Sequence, residues 1–290
     1  MTNLAGHPAE DGGLLEAERP NGKPIHQRIT AGLMLPREHG AWAMLLMPFL
    51  LGTAAAGNPS LPGLLLFVAV LLLFTASRPM ELLAQGGRDG AMPRLLAYGV
   101  AGAAAGVALL LAYGLWLLVS LGVAAGSVLG AQLLLRRRRL DRTWPARLAS
   151  IAALSVAGPA AYYAGSAAID SRALAVWIMA FLYSGASVFY VRLFYRQPER
   201  KNGGSTADGR SRAERQLAGY VVAAMTIVGG LGVAGVAPPL GTLSFVPLAV
   251  KAVLGCRWRE TRPTLRQIGF AEMGHTALFL VLASATMLLW

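Results

Sequence analysis

Nine stretches of 17 to 23 residues that are almost wholly apolar alternate with short polar gaps along most of this chain. They run over residues 40–56, 62–78, 93–112, 115–135, 147–166, 172–194, 216–236, 239–255 and 270–290. About 20 mostly apolar residues in a helix cover the hydrocarbon core of a bilayer, and roughly 17 is the lower limit. The pattern therefore predicts an all-α polytopic membrane protein with about nine transmembrane helices. Pro247 and Lys251 interrupt the eighth stretch, which is expected to be kinked or short.

The polar gaps are unequal, and charge gives them a sidedness. All but one of the 26 Lys and Arg residues fall in, or at the edges of, the N-terminal segment and the even-numbered gaps; Arg172 is the exception. Basic loops are retained in the cytoplasm during insertion, so the N-terminus is expected in the cytoplasm and the C-terminus outside, in the cell inner (plasma) membrane. Residues 1–35 lack an apolar run before Leu33 and read as a disordered cytoplasmic tail, leaving residues 36–290 as the transmembrane helical domain. The gap with Asn202-Gly203-Gly204-Ser205 reads as a mobile cytoplasmic loop.

Composition agrees with this class. The chain is 55% hydrophobic and only 14% charged, with a mean hydropathy of +0.52 that a soluble domain of 290 residues would not show. The net charge of +12 suits membrane lipids with anionic headgroups at the cytoplasmic face rather than nucleic acid, since no basic stripe is interleaved with aromatics. A lone cysteine, Cys256, excludes an intrachain disulfide or thiolate cluster. Gly230, Gly232 and Gly235 match the spacing of a dinucleotide fingerprint, but they lie in an apolar run with no strand before it. Gly102 with Gly106, and Gly122, Gly126 and Gly130, repeat at four-residue spacing and are expected to form helix-packing seams.

The chemistry is concentrated where polar residues meet the cytoplasmic ends of the runs. Pro36-Arg37-Glu38-His39 leads into the first, with Trp42 as an interfacial anchor. The second ends Ser77-Arg78-Pro79-Met80-Glu81, and the sixth ends with Arg192, Tyr195 and Arg196, whose two guanidinium groups share a helix face. The ninth opens Glu272-Met-Gly-His275, two ionisable groups on one face about a turn into apolar sequence, where such groups usually mark a site. Candidate catalytic residues are thus Glu81, Glu272 and His275. Candidate substrate-binding residues are Arg37, His39, Arg78, Arg192, Tyr195 and Arg196, because guanidinium forks grip phosphate. Glu38, His39, Glu272 and His275 are metal-ligand types, yet no spacing ties them together, so no metal site is assigned.

The run Pro36-Arg-Glu-His-Gly-Ala-Trp-Ala-Met-Leu-Leu-Met-Pro48-Phe-Leu-Leu-Gly52 resembles the signature of the YwiC-like membrane proteins, and the hydrophobic profile after residue 35 is similar too. This resemblance implies a fold and topology rather than an activity. More distantly, the predicted nine spans, and the basic cluster, Trp144-Pro145 and Gly/Ala-rich sequence of Arg136–Gly165, resemble the UbiA superfamily of intramembrane prenyltransferases. That second resemblance implies a UbiA-like bundle with a cytoplasm-facing cavity that binds or modifies an isoprenoid or similar amphiphile. It also implies Mg²⁺ if a diphosphate is the substrate. The pattern departs from that superfamily in its acids, no two of which stand four residues apart. Three functions stay open: a UbiA-like enzyme, an anion or small-solute transporter, and a non-catalytic membrane scaffold.

Overall fold

The computed structural model describes residues 39–84, 86, 90–137, 143–195, 206–257 and 265–290, within one unit from Pro36 to Trp290. The expected tail, Arg37 and Arg196 lie outside the described residues, as does the Asn202–Ser205 stretch. Among the described residues there are ten α-helices, one 3-10 turn and no strand. They are α1 (His39–Ala55), α2 (Leu61–Ala84), α3 (Ala91–Tyr113), α4 (Leu117–Arg137), α5 (Trp144–Ser155), α6 (Ala157–Ser166), α7 (Ser171–Tyr195), α8 (Thr206–Val233), the 3-10 turn Gly241–Phe245, α9 (Val246–Arg257) and α10 (Leu265–Leu288).

Among the described residues six segments are long and apolar enough to cross a membrane: Leu61–Met80, Ala91–Tyr113, Trp144–Ser166, Ser171–Leu193, Ser211–Val233 and Gln267–Leu288. Their outward faces carry large apolar side chains such as Leu96, Val100, Leu111, Val222 and Val281, all more than half exposed. Water would not tolerate so broad an apolar surface, whereas lipid does. The chain is a multi-pass membrane protein. The shorter apolar helices Trp42–Ala55 and Leu117–Gln132 accompany the six.

Local chemistry explains the interruptions. Segment 144–166 is divided at Val156 into α5 and α6, because Pro159 has no N–H to give the Ser155 carbonyl. Pro79 stands inside α2 yet does not end it, and the helix runs on to Ala84. Gly114, at φ 66°, closes α3 by donating its N–H to the Leu110 carbonyl at 3.0 Å, and α4 begins three residues later. The eighth apolar run divides into the 3-10 turn and α9, with Pro247 in the first turn of α9, where a missing N–H costs little.

Packing centres on α1, which contacts α5, α6, α7 and α10. It is apolar on all sides, as a helix enclosed by others must be. Met47, Leu51 and Ala55 join a core formed with α7, α8, the 3-10 turn, α9 and α10. Leu45 and Phe49 join a second core with α2, α3 and α6. The close approaches are made by glycines other than those expected. Of the four-residue rows only Gly102 packs, on Leu73 of α2; Gly106, Gly122, Gly126 and Gly130 have no neighbouring atom where a side chain would stand. Four-residue spacing defines a flat stripe on a helix but not the direction it faces, and α4 packs chiefly on α5. Backbones instead meet at Gly52 and Gly158, where α1 crosses α6.

Candidate functional site

Two charged side chains are carried into the helical interior and meet there. Lys251 lies on α9 and Glu272 on α10, and these helices are joined through the basic gap 258–264. Their positions are symmetric, six residues before Arg257 and six after Arg266, so antiparallel packing brings them to one depth. Lys251 Nζ forms an ion pair with Glu272 Oε1, and the lysine is 2% exposed. The ammonium also lies 4.3 Å from the centre of the Tyr190 ring, within cation–π range. Gly255, one turn after Lys251, presents bare backbone to the same ring and so lets α9 lie against α7. Ser187 Oγ donates a long hydrogen bond of 3.5 Å to the other carboxylate oxygen, Oε2. One ion pair thereby ties α7, α9 and α10 together.

Beside the carboxylate is a cavity of about 130 Å³ between α1, α7 and α10. Residues four apart on each helix build its walls, since that spacing puts side chains one above another. They are Ala43 and Met47 with Met44 on α1, Tyr183, Ser187 and Val191 with Ser184 on α7, and Glu272 and Thr276 on α10. Three wall residues of α1 therefore fall within the run from Pro36 to Gly52 singled out in the sequence. Behind the cavity an aromatic cluster closes the interior. Tyr183 stacks on Phe279 at 3.9 Å between ring centres, and Phe245 packs edge-on to Phe279 at 5.4 Å. The Tyr183 hydroxyl is buried beside the Thr276 hydroxyl, and no described group accepts its proton in hydrogen-bond geometry.

The structure brings together only part of the set expected from sequence. Glu272 is at the cavity, but its partners are Lys251 and Ser187 rather than His275. The His275 ring turns to its own helix, with Nδ1 donating to the Ala271 carbonyl at 2.7 Å, and it does not line the cavity. Arg78 and Arg192 are half-buried at the ends of α2 and α7 and do not line it either. His39, Glu81 and Tyr195 fall on α1, α2 and α7, with their side chains outside the described residues. Lys251 was missed because a basic residue near a predicted cytoplasmic loop reads as a topology signal. The signal that could have found it is its match in depth to Glu272 across one gap. Chemically, the arrangement offers a carboxylate and several hydroxyls in the wall of an otherwise apolar chamber.

Comparison with known proteins adds a family likeness. Residues 35–162 match the model of the family described as YwiC-like protein. The chain is also similar to "Uncharacterized protein YwiC" of Bacillus subtilis (strain 168), 27% identical over 182 residues, which cover 58% of this chain and 69% of that protein. No solved structure matches.

Proposed function

We propose that this protein binds an amphiphile inside the membrane, with its head at Glu272 and its apolar part against α1 and α7. The observation that carries the reading is the cavity itself, a largely apolar chamber whose one carboxylate, among the described wall residues, is held by a buried lysine. Ionisable groups within membrane helices are costly and are usually retained for a site or pathway. Membrane-soluble ligands reach such a chamber without leaving the bilayer.

The topology that goes with this reading is nine crossings with the N-terminus in the cytoplasm and the C-terminus outside, in the inner (plasma) membrane. The six long apolar segments, α1, α4 and the pair formed by the 3-10 turn and α9 supply nine rods. The ion pair then lies about 10 Å from the cytoplasmic helix ends, at 1.5 Å per residue. Cys256 provides a direct check, being the only cysteine and one residue from the end of α9. A membrane-impermeant maleimide is expected to label it in inverted vesicles and not in intact cells; the reverse pattern would invert the topology.

A prenyl-transfer form of this reading draws on the distant UbiA-like resemblance and assigns the arginines near the helix ends to a diphosphate. Among the described residues the cavity wall contains no basic side chain, so that form depends on groups beyond it. The test is thermal unfolding of the purified chain with amphiphiles of varied head and length, including isoprenyl diphosphates with and without Mg²⁺. A ligand at a hundred times its Kd stabilises the folded state by about 2.7 kcal/mol. At least one amphiphile is expected to raise the unfolding temperature, and Met47→Trp, which fills the cavity, to abolish the rise. A rise that depends on Mg²⁺ favours prenyl transfer. No rise with any compound, or a rise that survives Met47→Trp, sinks the reading.

A further inference from the structure

Resting on the amphiphile reading, we propose that the head group taken by this cavity is an uncharged alcohol. Charge is the first constraint. Among the described wall residues Glu272 is the only carboxylate and none is basic, and Lys251 already balances it from outside the wall. The pair is therefore neutral as a unit. A carboxylate, phosphate or ammonium brought beside it would add a charge with no counter-charge in a chamber walled by apolar atoms, which is strongly disfavoured.

Hydrogen bonding is the second constraint, and it narrows the uncharged heads. Glu272 Oε2 is a carboxylate oxygen held, among the described residues, only by the 3.5 Å contact from Ser187, so it calls for a donor. The Tyr183 hydroxyl, in a residue 3% exposed, has no acceptor among the described groups and calls for one. A hydroxyl group donates once and accepts twice, and so answers both. A ketone accepts but cannot donate to the carboxylate.

Size and wall chemistry fit the rest of such a molecule. A cavity of about 130 Å³ exceeds the few waters that the polar atoms alone could order. Met44 and Met47 supply flexible thioethers that adapt to an alkyl chain.

The experiment uses the full chain in lipid nanodiscs and an octanol analogue carrying a photoreactive diazirine in its chain. Labelled peptides are mapped by mass spectrometry while unlabelled octanol, 2-octanone, octanoate or octylammonium competes. Labelling of the α1 peptide containing Met44 and Met47 is expected, with octanol competing roughly tenfold better than the other three, the factor for 1.4 kcal/mol. Tyr183→Phe, which keeps the stacked ring and removes a buried hydroxyl with no acceptor, is expected to weaken labelling by a similar factor without lowering the unfolding temperature. Equal competition by octanoate or octylammonium overturns the alcohol assignment and leaves the amphiphile reading standing. Undiminished labelling of a folded Tyr183→Phe variant overturns the role of that hydroxyl and the assignment with it. No α1 labelling with the alcohol probe when a matched ketone, acid or amine probe does label overturns the alcohol assignment alone, and no α1 labelling with any of the four probes overturns both readings. The head-group comparison is made on the wild-type chain, so it does not depend on any variant folding.

Discussion

Lys251→Met is expected to destabilise the protein by about 3–5 kcal/mol, and the double variant Lys251→Met, Glu272→Leu to recover most of that loss. The reason is asymmetric. Removing the ammonium strands a carboxylate whose Oε1 is buried and whose remaining polar contact is the long one from Ser187. Glu272→Leu alone strands the ammonium, 2% exposed, against the Tyr190 ring. Replacing both removes the desolvation cost along with the attraction, so the double variant should lie near the wild type. Thermal and denaturant unfolding of the four proteins forms a double-mutant cycle whose coupling measures the pair. A Lys251→Met protein as stable as the wild type would show that the pair does not hold α9 to α10. The cycle also separates stability from function. On the proposed reading, the stable double variant no longer binds the amphiphile, because its head has lost the carboxylate.

The apolar runs were legible because their signal is length and composition, which lipid imposes on any crossing helix. Every predicted run has a helical counterpart, and the interruption near Pro247 was visible as a proline and a lysine in one short stretch. The half of the site on α10 was legible for a related reason, since Glu272 is out of place in apolar sequence. Lys251 was equally out of place, but its proximity to a basic loop offered a cheaper explanation. The cavity was not legible at all. Its wall combines Met47, Tyr183 and Thr276 from three helices far apart in sequence, and no spacing along the chain encodes which faces of α1, α7 and α10 converge. His275 illustrates the limit of face arguments. It does stand three residues from Glu272 on one helix, yet a carbonyl of its own helix satisfies its ring.

Glycine substitutions should have opposite consequences on the two sides of the molecule, and this contrast tests the packing most sharply. At Gly52 a Cβ would coincide with the Gly158 carbonyl, and at Gly158 it would press on Val176 Cγ1 at 2.6 Å and the Pro48 carbonyl at 3.0 Å. Neither backbone can yield without separating α1 from α6, because Pro48 and Gly158 face each other inside a buried crossing. Gly52→Val and Gly158→Val are therefore expected to cost about 3 kcal/mol or more, the upper end for overpacking, and to reduce folded protein recovered from membranes. On α4, Gly126 meets nothing within 4 Å of the added atom. There a glycine only loosens the helix, so Gly126→Ala should stabilise by about 0.5–1 kcal/mol. Had the four-residue stripe been a seam within the chain, Gly126→Ala would destabilise and Gly52→Val would be the milder change. Unfolding of the three variants beside the wild type decides between these arrangements. A neutral Gly52→Val would also undercut the cavity, because the α1–α6 crossing holds the helix from which Met44 and Met47 reach the site.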